Sequence, residues 1–154
     1  MSESQGTTRS DVLRGSSRLS EPKFAGLLER YIPDERVLKA GDGDLSYKGI
    51  QDGGYSKLAL VLTPQRIWGF RGAGVLGAKK PVSVFLHEVE EVGRLPDIGT
   101  GKSFLGITFA AGAQMLKGGP KKGTACLIGS LRLEFDSGAV RDEWGLAVTA
   151  LVRS

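Results

Sequence analysis

The sequence predicts a mainly β domain, a barrel of about seven antiparallel strands with one C-terminal capping helix, preceded by a short amphipathic helix. Three observations carry this. From residue 36 to 135, short apolar or alternating segments follow one another, separated by Gly, Asp and Pro clusters. From residue 137 on, the apolar spacing changes from strand to helix period. At 154 residues the chain is long enough to bury one core without disulfide staples.

Residues 1–19 are rich in Ser, Gly, Thr and Arg with little apolar content, and are expected to be a disordered tail. Ser20 reads as an N-cap, with Glu21 and Pro22 in the first turn. Phe24, Leu27, Leu28 and Tyr31 recur at i, i+3, i+4, i+7, on one face of a helix over 20–33 that Pro33 ends. That face either packs on the domain or docks a partner. Residues 34–154 form the domain itself.

Within it, Arg36 to Ala40 is the first strand candidate, and the Gly- and Asp-rich AGDGDLSYKGIQDGG reads as a loop. Tyr55 to Leu62 alternates, with Leu58, Leu60 and Leu62 on one side and Lys57 and Ala59 on the other. A tight turn at Thr63-Pro64-Gln65 precedes a strand from Ile67 to Phe70. RGAGVLGAKKP is a glycine-rich loop with an apolar tip at Val75 and Leu76. Val82 to Leu86, Val89 to Leu95, 103–110, 124–128 and 130–135 are the remaining strands. Ser137 caps the last helix, and Val140, Trp144, Val148 and Leu151 share its inner face.

Several chemistries fail on their own mechanics. PDIGTGKSFLG ends like a phosphate-binding loop, but Pro96 occupies the position of the first glycine. Proline offers no N–H to a phosphate, and Lys102 and Ser103 lead into an apolar strand instead of a helix. Asp42 and Asp44 begin like a calcium loop, yet Tyr47 and Gly53 stand where Gly and Glu are needed. A single cysteine, Cys126, excludes an internal disulfide, and between Ala125 and Leu127 it reads as a buried thiol. A single histidine, His87, excludes a multi-histidine metal site and reads as structural or surface. No cofactor, no metal and no enzymatic activity are expected. With no apolar leader and no spanning run, a cytoplasmic protein is expected, peripheral at a membrane at most.

Particular stretches resemble the bacterial pleckstrin-homology (PH-like, GRAM-like) domain family. IPDERVL (32–38) is similar to that family's "PGE-x-V-L" opening. LALVLTPQRIWGF (58–70) is similar to its strand pair, and VFLHEVEEVG (84–93) to its "I-x-L-x-D-I-x-x-V" segment. LRLEFDSGAVRDEWGLAVTAL (131–151) is similar to its last strand and closing helix, with Trp144 facing the barrel mouth. The resemblance implies a PH-like barrel and a non-catalytic binding module whose ligands differ among members. One departure is that Asp42, Asp44 and Asp52 surround the first hairpin loop against Lys48 and Lys57. That loop is too acidic to grip a polyphosphate head group, so phosphoinositide binding is not carried over.

The formal net charge is +4, and its distribution says more than its size. Residues 53–87 hold no acid but contain Lys57, Arg66, Arg71, Lys79 and Lys80; residues 98–133 hold no acid but contain Lys102, Lys117, Lys121, Lys122 and Arg132. Such segregation builds either a basic face or merely solvated loops. The first functional expectation is an adaptor that binds a protein partner or itself, with Phe24, Leu27, Leu28 and Tyr31 as candidate docking residues. The alternative is an anionic membrane surface, met by Arg71, Lys79, Lys80, Lys117, Lys121 and Lys122 with Val75 and Leu76 as the membrane tip. Nucleic acid ranks below both, because no cluster of basic and aromatic residues shares one strand face.

Overall fold

The computed structural model describes residues 8–96, 99, 101–118 and 124–153. The strands are β1 (Lys39–Gly49), β2 (Gly53–Leu62), β3 (Arg66–Phe70), β4 (Val82–Phe85), β5 (Val89–Leu95), β6 (Ser103–Phe109), β7 (Gln114–Lys117) and β8 (Thr124–Phe135). Three helices accompany them: α1 (Arg9–Leu13), α2 (Leu27–Tyr31) and α3 (Gly138–Val152). β1, β2, β3, β4, β7 and β8 neighbour one another in that order, and β1 pairs back with β8, closing six antiparallel strands into a barrel. β6 and β5 continue the sheet from the C-terminal half of β8.

Eight strands are present among the described residues, and the C-terminal half is divided differently from the segments expected. The expected strand 103–110 continues as β7 after a turn in which the Ala113 N–H donates to the Ala110 carbonyl and Gly112 takes φ +88°. Conversely, 124–128 and 130–135 form one 12-residue strand, β8. The stretch expected to be a loop after Ala40 is mostly β1. Its glycines mark close approaches, not turns. A Cβ on Gly41 would lie 2.9 Å from Trp144 Nε1, and one on Gly43 would lie 2.6 Å from the Glu134 carbonyl oxygen. A strand that must pass this close to an indole and a neighbouring backbone carries glycine, and on sequence alone it looks like a loop.

The main core, shared by the barrel and the β6 extension, holds Leu58, Leu60, Leu62, Ile107, Leu133 and Phe135, all essentially inaccessible. α3 lays Trp144 and Val148 over it, and the Trp144 and Phe135 rings meet at 5.8 Å. The Ser137 hydroxyl accepts from the Ala139 and Val140 N–H groups and starts α3 as expected.

A second apolar cluster lies on the outside of the barrel. Ala59, Val61, Trp68 and Phe70 point outward from β2 and β3 and are covered by Phe24, Leu27, Leu28, Ile32 and Val37. Burial of each such large side chain is worth about 1.5–3 kcal/mol. Residues 8–38 thus act as a strap across the β2–β3 wall. The expected single helix over 20–33 is broken into short 3-10 turns (Arg18–Ser20 and Pro22–Phe24) and α2. Gly26, at φ +76°, interrupts the backbone, and Ser20 ends a turn instead of capping a helix. Phe24, Leu27 and Leu28 are spent in this cluster, and Tyr31 is half-buried with its ring 6.4 Å from Phe70. They are wall-covering residues, not an open docking face.

The expected disordered tail is ordered from Thr8 onward; residues 1–7 lie outside the described residues. Thr8 and Asp11 form a capping box on α1. Arg9 donates to the carbonyls of Ile32, Pro33 and Glu35 at 2.8–3.1 Å. The Asp42 carboxylate accepts from Ser16 Oγ (2.6 Å), Ser17 Oγ (2.5 Å), Ser17 N (3.1 Å) and Arg18 N (3.3 Å). Arg18 also reaches the Gly43 and Leu58 carbonyls. The polar composition that suggested disorder is the set of donors that fastens the strap to β1 and β2.

Two expected outcomes follow. Burial alone would push the Asp42 carboxyl up, but the hydrogen bonds from Ser16, Ser17 and Arg18 outweigh it and hold its pKa below the ordinary 3.8. A depressed folded pKa means the latch contributes stability above pH 3.8 and loses it as pH falls through the lower folded value. Melting temperatures taken from about pH 5 to about pH 2 should therefore drop less steeply in Asp42→Asn than in the wild type. An identical acid limb in both would contradict the latch. Separately, Gly41→Ala should destabilise the barrel by about 1–3 kcal/mol in urea denaturation, because the new methyl meets the Trp144 indole.

Candidate functional site

The β3–β4 connection, residues 71–81, is shaped by its glycines. Gly74 and Gly77 exchange backbone hydrogen bonds of 2.8 and 3.0 Å, making a two-residue turn with Val75 and Leu76 at its tip. Gly77 takes φ +106°, a conformation costly for any other residue. The turn leaves Val75 and Leu76 fully exposed, at 105 % and 102 %. The root of the loop is tied down. The Ala73 N–H donates to the Lys23 carbonyl of the strap at 2.8 Å, and the Arg71 guanidinium lies 4.8 Å over the Tyr55 ring.

Beneath this loop is a cavity of about 360 Å³, lined by Lys23 and Phe24 of the strap, residues 54–57 of β2, residues 71–73 and Lys79. Four of these residues are cationic (Lys23, Lys57, Arg71 and Lys79), and no acid lines it among the described residues. Lys117, at the end of β7, adds a fifth charge near its edge, with Nζ 6.0 Å from the Tyr55 ring. Two acids approach from outside. Glu21 lies 3.7 Å from Lys23 Nζ, and Asp44 accepts from the Lys57 backbone N–H at 2.8 Å. Lys57 has φ +58°, the one non-glycine residue with positive φ among the described residues. That strained conformation, worth about 1–2 kcal/mol, is held by the Asp44 bond beside the cavity.

The Tyr55 ring backs the site, stacked on Tyr47 at 6.1 Å. Burial, then the neighbouring Tyr47, pushes its hydroxyl pKa up, against an opposing pull from Arg71. Tyr55 therefore stays a neutral phenol and cancels none of the positive charge. Guanidinium stacking on an aromatic face leaves the N–H edges of Arg71 available to an anion's oxygens.

The structure brings together Arg71, Lys79 and, at the margin, Lys117 from the residues expected on sequence. Lys80 is exposed one residue further along the same loop. Lys121 and Lys122 lie outside the described residues. Sequence reasoning missed Lys23 and Lys57. Lys23 was hidden in a presumed helix. Lys57 stands where the β2 alternation breaks, at a bulge opposite Asp44, so its place at the site left no periodic signal.

Other candidate chemistry stays dispersed. His87 is exposed with its ring 5.3 Å from Phe85, and Cys126, expected to be buried, is exposed on β8. Lys102, of the truncated phosphate-loop motif, pairs with Asp136 at the start of a strand. Among the described residues no group of three or more His, Cys, Asp or Glu could hold a metal ion, and no helix is long and apolar enough to cross a membrane.

A second surface lies between α3 and β5, the sheet's outer strand. It is a groove of about 330 Å³ bordered by Val92, Arg94, Leu105, Arg141, Asp142 and Leu146. Asp142 meets Arg141 at 3.1 Å and Arg94 at 3.6 Å, and Leu146 is 75 % exposed.

The strain at Lys57 is checkable. Lys57→Gly should hold or raise the unfolding free energy, by up to about 1 kcal/mol, whereas Lys57→Val should lower it by at least that much. Urea denaturation of the two variants decides; equal effects would remove the backbone argument. Comparisons of the chain with protein-family models, curated proteins and solved structures returned no match.

Proposed function

We propose that this chain is a non-catalytic binding module on a PH-like barrel, which attaches peripherally to anionic membrane surfaces through the β3–β4 end. The observation that carries this reading is the juxtaposition of a fully exposed Val75–Leu76 tip with Lys23, Lys57, Arg71, Lys79 and Lys117. Either feature alone is commonplace. Together they match an interface in which apolar side chains enter the head-group boundary and cations meet lipid phosphates. Each basic residue near such a surface contributes about 1 kcal/mol, and each tip side chain about 1.5–3 kcal/mol if fully buried. The sum describes reversible, salt-sensitive attachment. The PH-like part is supported by where the family-like stretches fall: 58–70 spans the β2–β3 hairpin, 84–93 the β4–β5 corner, and 131–151 the passage from β8 into α3.

A second reading, an adaptor for a protein partner or a second copy, is favoured by the α3–β5 groove. β5 ends the sheet, so a strand could add to it. A bulge between Val89 and Glu91 and the charges of Glu90, Glu91 and Arg94 blunt that edge, which places this reading second. Partner capture abolished by Leu146→Asp, with vesicle binding intact, would promote it.

The primary test is co-sedimentation with phosphatidylglycerol-containing and neutral phosphatidylcholine vesicles. Binding is expected only to the anionic vesicles, falling as salt rises. Val75→Ser with Leu76→Ser should weaken it about tenfold or more. Equal pelleting with both vesicle types, or with neither, would overturn the proposal.

A further inference from the structure

We infer that the cavity under the β3–β4 loop is a binding site for a phosphate monoester, going beyond general attraction to negative lipid. The inference rests on the membrane reading only insofar as a lipid head group is one source of that chemistry; a soluble phosphorylated metabolite is the other.

The argument is one of charge count, cavity size and placement. Lys23, Lys57, Arg71 and Lys79 come from three separate pieces of chain, yet they line one cavity. A diester phosphate carries one charge and two free oxygens, so it can neutralise only part of this set. A monoester carries about −1.5 to −2 at neutral pH and three acceptor oxygens. It can meet the planar fork of Arg71 on one side and ammonium groups on others. At about 360 Å³ the cavity has room for a phosphate and the first carbons of its alcohol.

Placement is the second strand of the argument. Lys23 is held at the site by the burial of its neighbour Phe24 and by the Ala73–Lys23 backbone bond. Arg71 is held by the Tyr55 ring and Lys57 by its strained backbone. Arg71 is thus anchored at its charged end, and Lys23 and Lys57 through their backbones, which fixes where their side chains start. The acids nearby do not fill it. Glu21 contacts Lys23 from outside the lining, and Asp44 binds a backbone N–H, not an ammonium.

The test uses the intact chain and two ligand sources. In backbone amide NMR, inorganic phosphate and glycerol 3-phosphate should shift residues 54–57 and 71–73 selectively. In sedimentation, phosphatidic acid vesicles should bind about tenfold tighter than phosphatidylglycerol vesicles of matched surface charge. Arg71→Gln with Lys79→Gln should erase the selective shifts and the lipid preference, whereas Lys48→Gln, elsewhere on β1, should change neither. Should the double variant unfold by circular dichroism, the exposed Lys79→Gln alone is read instead. Equal binding to both lipids with no selective shift would overturn this inference and leave the membrane reading intact. Selective shifts without vesicle binding would do the reverse, and assign the pocket to a soluble monoester. Absence of both would overturn both.

Discussion

The apolar outer wall of β2 and β3 is the constraint from which the rest of the molecule follows. Residues 58–62 are buried on both faces, with leucines turned into the barrel and Ala59 and Val61 turned out beside Trp68 and Phe70. A barrel wall of that composition cannot face water without exposing an apolar patch of the kind that drives association. The strap removes the problem. Its own ends are polar, so it is secured differently at each point: Arg9 on three carbonyls, Ser16 to Arg18 on Asp42, and Phe24 to Ile32 by burial. The same covering segment carries Lys23 to the β3–β4 loop. A packing requirement and a charge cluster therefore share one piece of chain.

Barrel closure sets a second constraint, and it explains the unusual composition of β1. This strand touches β2 on one side and β8 on the other, and α3 comes down onto it with Trp144. Side chains at positions 41 and 43 would collide with Trp144 and with the β8 backbone. The Trp144 indole N–H is also left without an acceptor among the described residues, as is that of Trp68.

How much of this was legible in the sequence depends on whether the relevant signal was local. β2 and β3 were readable as apolar runs set off by a turn at Thr63–Gln65, and α3 because its periodicity records which face is buried, while Ser137 marks its helix by an interaction within one turn. β1 was not, because Gly41 answers to a helix and Gly43 to a strand, both near the far end of the chain. The strap was not, because hydrogen bonds from Arg9, Ser16 and Ser17 to a distant partner leave no trace in composition. The basic site was half legible. Arg71 and Lys79 sit in an acid-free loop that sequence alone flags, whereas Lys23 joins them only through the fold of the strap.

The competing account of the site is that its lysines merely keep a hairpin loop in solution, and the geometry weighs against it. Lysines that serve only solubility need no fixed root, and their neighbours at a loop tip are ordinarily polar. Here the loop is clamped at its base by Ala73 and at its tip by the Gly74–Gly77 pair, and what the clamp displays is valine and leucine. Holding two aliphatic side chains fully in water opposes the hydrophobic effect, and gathering four cations around one cavity opposes Coulomb repulsion. Under the proposed reading both tensions would be relieved at the same place by one kind of partner, an anion borne on or beside an apolar phase. A loop whose unfavourable features are all resolved by one ligand class is better explained by that ligand than by solvent.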